Sequence, residues 1–160
     1  VLATIHRQEN TTDLKKLISI IHGLNEVSKD CLVVWPIHPR TRAVLEKSEL
    51  TFHGLLTDPV GYFDMLELLK HCRLVITDSG GLQKEAFFNQ KPCIIAREET
   101  EWVELVKHDY ARIVGSDADK MKQAYLSFTE NKPIYDQNLY GDHPGKTIYE
   151  EIKSLINKRG

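Results

Sequence analysis

The sequence predicts an α/β domain, a doubly wound parallel sheet of six strands with a Rossmann-like plan. Three observations carry this. Short apolar, β-branched runs alternate along the chain with segments whose apolar residues recur at helical spacing, the mark of βαβ units with helices on both sheet faces. No internal repeat or low-complexity stretch interrupts the alternation. The fourth apolar run, Leu74 to Thr77, stops at Asp78-Ser79-Gly80-Gly81 and passes at once into a helix-forming segment, so a strand, a tight turn and a helix start follow one another directly.

Each element has its own justification. Val1 to Ile5 is an apolar strand ending in the polar knot His6-Arg7-Gln8-Glu9-Asn10. Thr11, Thr12 and Asp13 offer an N-cap to a helix whose Leu14, Leu17, Ile18, Ile21, Leu24 and Val27 share a face. Cys31 to Trp35 is the second strand, closed by Pro36, and the loop Ile37-His38-Pro39-Arg40 leads to a short helix from about Thr41 to Lys47. A weaker third strand, Phe52 to Leu56, is followed by the turn Thr57 to Gly61 and a helix over Tyr62 to His71 with Met65, Leu66 and Leu69 inward. After the fourth strand a helix runs to about Phe88, and Lys91-Pro92 introduces the fifth strand at Cys93 to Ala96. Arg97 to Glu101 caps a helix beginning near Trp102, and Ala111 to Val114 is the sixth strand. A helix from Asp117 buries Met121, Ala124, Tyr125 and Phe128; Asn131 to Gly145 is a loop; Thr147 to Lys158 closes the domain with Ile148, Ile152, Leu155 and Ile156 on one face.

Right-handed crossovers make the expected strand order 3-2-1-4-5-6. Ligands of such sheets bind at the carboxyl ends of the strands where the winding reverses, here between the first and fourth. The residues leaving those strands are His6-Arg7 and Asp78-Ser79-Gly80-Gly81, distant in sequence but facing one crevice. No GxGxxG follows the first strand, so the dinucleotide fingerprint is absent.

The free N–H groups of the helix start at Ser79-Gly80-Gly81 carry partial positive charge, and the glycines let a phosphate approach without a Cβ in the way. Ser79 adds a hydroxyl donor. Glu85, about one and a half turns beyond Gly80, is near enough to accept from a sugar's vicinal hydroxyls. His6 fits two roles, a structural strand-end histidine or a donor to a phosphate oxygen that stabilises a departing diphosphate. Arg7 is either a second site cation or one half of a surface pair with Glu9. His38 is a neighbouring donor or part of a proline-rigid loop, and Thr100-Glu101-Trp102 caps a helix or meets the ligand. Glu98-Glu99 reads as a solvated charge run.

Composition narrows the partners. The 160 residues, 41% hydrophobic and 28% charged with a formal net charge of -2, build a globular domain without a basic field for nucleic acid or anionic membranes. No apolar stretch is long enough to span a membrane. Cys31, Cys72 and Cys93 fall in or beside apolar runs with no metal or disulfide spacing. We expect no metal, no cofactor, a cytoplasmic location and reduced thiols. The opening directly on a strand without Met suggests a fragment cut at a domain boundary.

Thr4-Ile5-His6-Arg7-Gln8-Glu9-Asn10, Pro36-Ile37-His38-Pro39, Thr77 to Glu85, Arg97 to Trp102 and Tyr140-Gly141-Asp142, taken together and in this order, resemble the non-hydrolysing UDP-N-acetylglucosamine 2-epimerases. The resemblance implies one half of a GT-B-type enzyme, with residues 1–160 as the carboxyl-terminal UDP-binding domain and an amino-terminal domain as its partner across the cleft. It implies that Ser79, Gly80 and Gly81 hold the diphosphate, Glu85 the ribose, Val60 and Met65 the uracil, and His6 the phosphate near the reacting sugar, as the catalytic candidate. Arg7 and His38 resemble positions that contact a second, allosteric UDP-sugar in some members. The family reaction eliminates UDP and adds it back to interconvert UDP-GlcNAc and UDP-ManNAc, with acid/base carboxylates in the amino-terminal domain. The chain alone is therefore expected to bind UDP weakly and to turn over nothing. A homodimer is implied by analogy. Trp102 departs from the arginine of several members, and Thr100-Glu101-Trp102 resembles relatives acting on diacetamido-uronic acid sugars. A GT-B glycosyltransferase domain and a nucleotide-sugar sensor without chemistry are the other readings.

Overall fold

A computed structural model of the chain describes residues 1–48, 50–136, 138–141 and 144–157. Six parallel strands, β1 (Leu2–Thr4), β2 (Val34–Pro36), β3 (Leu55–Thr57), β4 (Val75–Thr77), β5 (Cys93–Ile95) and β6 (Ala111–Ile113), form one sheet in the order β3-β2-β1-β4-β5-β6. That is the doubly wound order expected from the sequence. The winding reverses between β1 and β4, which pair in register from Leu2↔Val75 to Thr4↔Thr77.

Alternate strand residues feed two apolar layers, because successive side chains point to opposite faces. Ala3, Ile5, Trp35, Ile76 and Ile94 pack under α2 (Leu14–Ser28), α3 (Pro39–Lys47) and α7 (Ala118–Glu130). Leu2, Val75, Cys93 and Ile95 pack under α4 (Tyr62–His71), α5 (Gly80–Phe88) and α6 (Val103–Lys107). Asp13 starts α2 by accepting from the backbone N–H of Lys15 and Lys16 at 3.0 and 3.3 Å. Gly23 lets α2 press against α7, since a Cβ there would lie 2.8 Å from Met121 Sδ and 3.2 Å from the Ala118 backbone.

The structure revises several expectations. Each strand is three residues long; β1 lies within its expected run, whereas β2 and β3 sit at the carboxyl ends of theirs and take in Pro36 and Thr57, which the sequence placed in the closing residue and the turn. The polar knot after β1 contains a helical turn, α1 (Gln8–Thr11). Helix α3 begins at Pro39, where a proline's missing N–H is harmless in the first turn. The last helix, α8 (Pro144–Asn157), starts inside the expected loop, and it does not close the core: Ile148, Ile152, Leu155 and Ile156 are each at least 52% exposed. Periodicity foretold the apolar face and not the neighbour it needs. Lys158 and Asp142 lie outside the described residues.

Candidate functional site

The corner after β4 is held by short polar contacts. Thr77 Oγ1 meets Thr4 Oγ1 at 2.6 Å across the β1–β4 seam and accepts from the Ser79 N–H at 2.9 Å. Ser79 is the N-cap of α5, its Oγ accepting from the Leu82 N–H at 3.4 Å. The Ser79 hydroxyl proton stays free to donate outward. The N–H groups of Gly80 and Gly81, first in the helix, have no carbonyl four residues earlier within it, and no acceptor for them is found among the described residues. Their dipole and open donors favour an anion.

Asp78 ties this corner to the chain leaving β1. Its side chain is wholly buried, and Oδ2 accepts from the His6 N–H at 3.1 Å, the Arg7 N–H at 2.9 Å and Asn10 Nδ2 at 3.0 Å. Oδ1 lies 3.2 Å from the His6 N and 3.5 Å from His6 Nδ1. Asn10 Nδ2 also donates to the Ala96 carbonyl at the end of β5. These N–H donors supply the hydrogen bonds that a buried carboxylate needs in place of water.

His6 and the glycine corner therefore open onto one cavity of about 400 Å³, lined by Thr4, His6, Pro36, His38, Pro59, Val60, Met65, Ser79, Gly81, Leu82 and Glu85. Its size suits a nucleotide-scale ligand. Ser79, Gly81 and His6 supply donors to its lining, Pro59, Val60 and Met65 apolar surface, and Glu85 an acceptor. A Cβ on Gly81 would meet only Ser79 Oγ, at 3.9 Å, and would project into open space. His38 caps α3, its Nδ1 accepting from the Arg40 N–H at 3.2 Å. A backbone N–H can only donate, so Nδ1 is the acceptor nitrogen and the neutral ring carries its proton on Nε2.

Two residues read as site candidates sit apart. Gly80 turns away from the cavity: its Cβ position lies 3.0 Å from Glu101 Oε2, and its carbonyl accepts from Trp102 Nε1 at 2.7 Å. Arg7 reaches Glu101 at 3.9 Å. The alternative Arg7–Glu9 pair fails in its partner, because Glu9 lies 3.5 Å from the Nε of Arg97 instead.

Behind the corner, the β5–α6 loop braces α5. Arg97, only 6% exposed, meets both Glu101 oxygens at 3.0 and 2.9 Å. Glu101's own backbone N–H and then Arg97 hold its carboxyl below the usual carboxylate range. Thr100 Oγ1 donates to Gln83 Oε1 at 2.5 Å and accepts from the Trp102 N–H at 3.1 Å. The Lys84 ammonium lies over the rings of Trp102 and Tyr140 at 4.2 and 4.1 Å, and Tyr140 donates to Glu104 at 2.7 Å. Burial and then that carboxylate push the Tyr140 phenol up.

Sequence reasoning missed Asp78, Asn10 and Gln83 as organising residues. The available signal was polarity in the wrong place: an Asp abutting a buried strand needs donors, and the knot after β1 was the nearest supply. Among the described residues, no group of three or more His, Cys, Asp or Glu is placed to hold a metal ion.

Residues 1–153 match the family described as UDP-N-acetylglucosamine 2-epimerase. A UDP-2,3-diacetamido-2,3-dideoxy-D-glucuronate 2-epimerase of Pseudomonas aeruginosa is 46% identical over 142 residues, covering 88% of this chain and 40% of that protein. A UDP-N-acetylglucosamine 2-epimerase of Methanocaldococcus jannaschii is 36% identical over 150 residues, 88% of this chain and 40% of its own length. The crystal structure of the M. jannaschii UDP-GlcNAc 2-epimerase in complex with UDP-GlcNAc and UDP superposes with a TM-score of 0.84 at 31% identity, over 96% of this chain and 44% of that one. The chain thus spans less than half the length of these relatives.

Proposed function

Because this chain belongs to the UDP-N-acetylglucosamine 2-epimerase family, we propose that it is the carboxyl-terminal, UDP-binding half of a UDP-sugar 2-epimerase whose other half, an amino-terminal domain of the same enzyme, closes the cleft. The single observation that carries this reading is the shared cavity, in which His6 from the end of β1 and the Ser79–Gly81 corner after β4 face the same space. The diphosphate lies against Ser79 and the Gly81 N–H, with the Gly80 N–H completing the turn. Glu85 accepts from the ribose hydroxyls, and Val60 and Met65 cover the base. His6 stabilises the charge that gathers on the β-phosphate as UDP departs. Gly80 acts through its backbone, consistent with a Cα turned away from the cavity. Arg7 and His38 contribute to the rim where a second UDP-sugar binds in the allosteric reading; His38 lines the cavity and Arg7 does not.

UDP-GlcNAc interconverting with UDP-ManNAc is the first substrate assignment, supported by the M. jannaschii relative and its UDP-GlcNAc-bound structure. A diacetamido-uronate sugar nucleotide is the second, and the 46% identity to the P. aeruginosa enzyme favours it. The acid/base carboxylates belong to the other half, so the 160-residue chain alone turns over neither sugar. The same half offers cover for the bare face of α8. The enzyme works in the cytoplasm as a homodimer.

The test is calorimetric titration of UDP and UDP-GlcNAc into the wild-type chain, Ser79→Ala and Glu85→Ala. We expect each substitution to weaken binding about tenfold, the worth of one good hydrogen bond near a charge. Equal affinity in all three proteins sinks the site, and turnover by the isolated chain sinks the division of labour. Assay of the full-length enzyme on the two sugars decides between the substrates.

A further inference from the structure

We propose that Asp78 is a positioning residue that sets the His6 ring in the Nδ1–H tautomer, with Nε2 bare, opposite to the Nε2–H form that the Arg40 N–H sets in His38. Asp78 is buried among N–H donors, and its Oδ1 lies 3.5 Å from His6 Nδ1, longer than a hydrogen bond but close enough that a ring lone pair there would face a carboxylate oxygen, which favours the proton on Nδ1 in the neutral ring. His38 Nδ1 faces the Arg40 N–H at 3.2 Å, which can only donate, so its proton sits on Nε2. Both rings line the same cavity.

The asymmetry has a chemical consequence. A phosphate oxygen accepts and cannot donate. His38 can meet one as a neutral donor, whereas His6 can do so only after a proton is added at Nε2, making it an imidazolium with Asp78 behind it and the phosphate in front. Ligand capture at His6 then takes up one proton, and affinity falls as pH rises, by up to about tenfold per pH unit. The other ionisable groups lining the cavity are Glu85 and His38; Arg7, next in the chain, is turned toward Glu101. This consequence rests on the UDP reading above; the tautomer assignment does not.

Asp78→Asn separates positioning from folding. An asparagine whose carbonyl takes the place of Oδ2 keeps all three bonds made there, from the His6 N–H, the Arg7 N–H and Asn10. Its NH2 then falls where Oδ1 faces His6 Nδ1, and an amide N–H at that place donates. The variant should fold and should flip His6 to the Nε2–H form.

The experiment is long-range proton–nitrogen NMR of the histidine rings in the ligand-free chain, at a pH where they are neutral, with signals assigned from His6→Gln and His38→Gln. We expect Nδ1–H for His6, Nε2–H for His38, and Nε2–H for His6 in Asp78→Asn. Nε2–H for His6 in the wild type overturns the proposal, and so does a folded Asp78→Asn with an unchanged tautomer. Should that variant not fold, the wild-type spectrum alone decides. UDP titration in buffers of different ionisation enthalpy then reads the linkage. Uptake near one proton in the wild type and near none in Asp78→Asn supports the role, and binding without uptake in both removes it. The expected tautomers in a chain that fails to bind UDP support the Asp78 assignment and refute the functional reading.

Discussion

The β1–β4 seam and helix α8 stand at opposite extremes of the molecule. At the seam, Asp78 gathers three separate donors from the chain that leaves β1, and Thr4 and Thr77 meet with their hydroxyls wholly or nearly buried. On α8, Ile148, Tyr149, Ile152, Leu155 and Ile156 all stand more than half exposed. In one region the Asp78 carboxylate and the two threonine hydroxyls find partners far away in sequence, and the other has an apolar stripe that nothing in the described residues covers. An amphipathic pattern specifies a face, while the partner is specified by whatever else is in reach.

The largest effect is expected at the seam. Asp78→Ala removes a wholly buried carboxylate and leaves the part-buried His6 and Arg7 N–H groups and the buried Asn10 Nδ2 without that acceptor. We expect a loss of about 3 kcal/mol or more, from several donors left unsatisfied together. Urea denaturation of the chain followed by circular dichroism measures it; a loss below about 1 kcal/mol shows that the seam is not what holds the two strand ends together.

This seam also marks where sequence reading succeeds and where it stops. The sheet order was legible because Leu74 to Thr77 and its fellow runs alternate with helical segments, and handedness leaves few topologies. The convergence of His6 with Ser79 and Gly81 followed from that order alone. Asp78 was hidden inside its own motif, since its partners are backbone N–H groups that no side-chain pattern advertises. Trp102 was legible as apolar but not as the donor to Gly80, a contact made across two loops that only folding brings together. The short α1 was masked by its polar composition, and the exposure of α8 by an amphipathic pattern that would look the same on a buried helix.

Gly23 tests the packing layer beneath the seam. Gly23→Ala puts a Cβ 2.8 Å from Met121 Sδ and 3.2 Å from the Ala118 backbone. The thioether can move and the backbone cannot, so α2 and α7 must part slightly. We expect destabilisation of about 1–3 kcal/mol by overpacking, outweighing the better helix propensity of alanine. Thermal unfolding of the variant should show the loss with UDP affinity unchanged, because the cavity lies elsewhere.

Gly81→Val separates site from scaffold. The added side chain enters open space beside Ser79, so the melting temperature should stay nearly constant while UDP binding weakens at least tenfold, about 1.4 kcal/mol. Retained affinity would mean that the ligand does not approach the α5 start.

Glu101 provides a smaller, pH-dependent contrast. Its folded carboxyl titrates below the ordinary range, held there first by its own backbone N–H and then by Arg97. A depressed carboxylate adds stability that is fully present above the unfolded-state value and is lost as pH falls through the folded one. With the side chain 52% exposed, solvent screening limits the contribution to about 1 kcal/mol or less. Stability of wild type and Glu101→Gln should therefore differ near neutral pH and converge in acid below the usual carboxylate pKa. Curves that stay parallel across the acid range exclude the Arg97–Glu101 clamp as the cause.

The smallest effect is expected on α8, and its smallness is the point. Ile152→Ser with Leu155→Ser removes two side chains that stand 52% and 59% exposed, so in the 160-residue chain little apolar area returns to water. Unfolding of the sheet should shift by no more than about 0.5 kcal/mol. In a full-length enzyme whose other half lies on this stripe, the same pair should cost several times more, since about 25 cal/mol is lost for each Å² of apolar contact removed. Equal small losses in both contexts would leave the stripe without a partner, and a large loss in the short chain would mean that α8 already packs on its own domain.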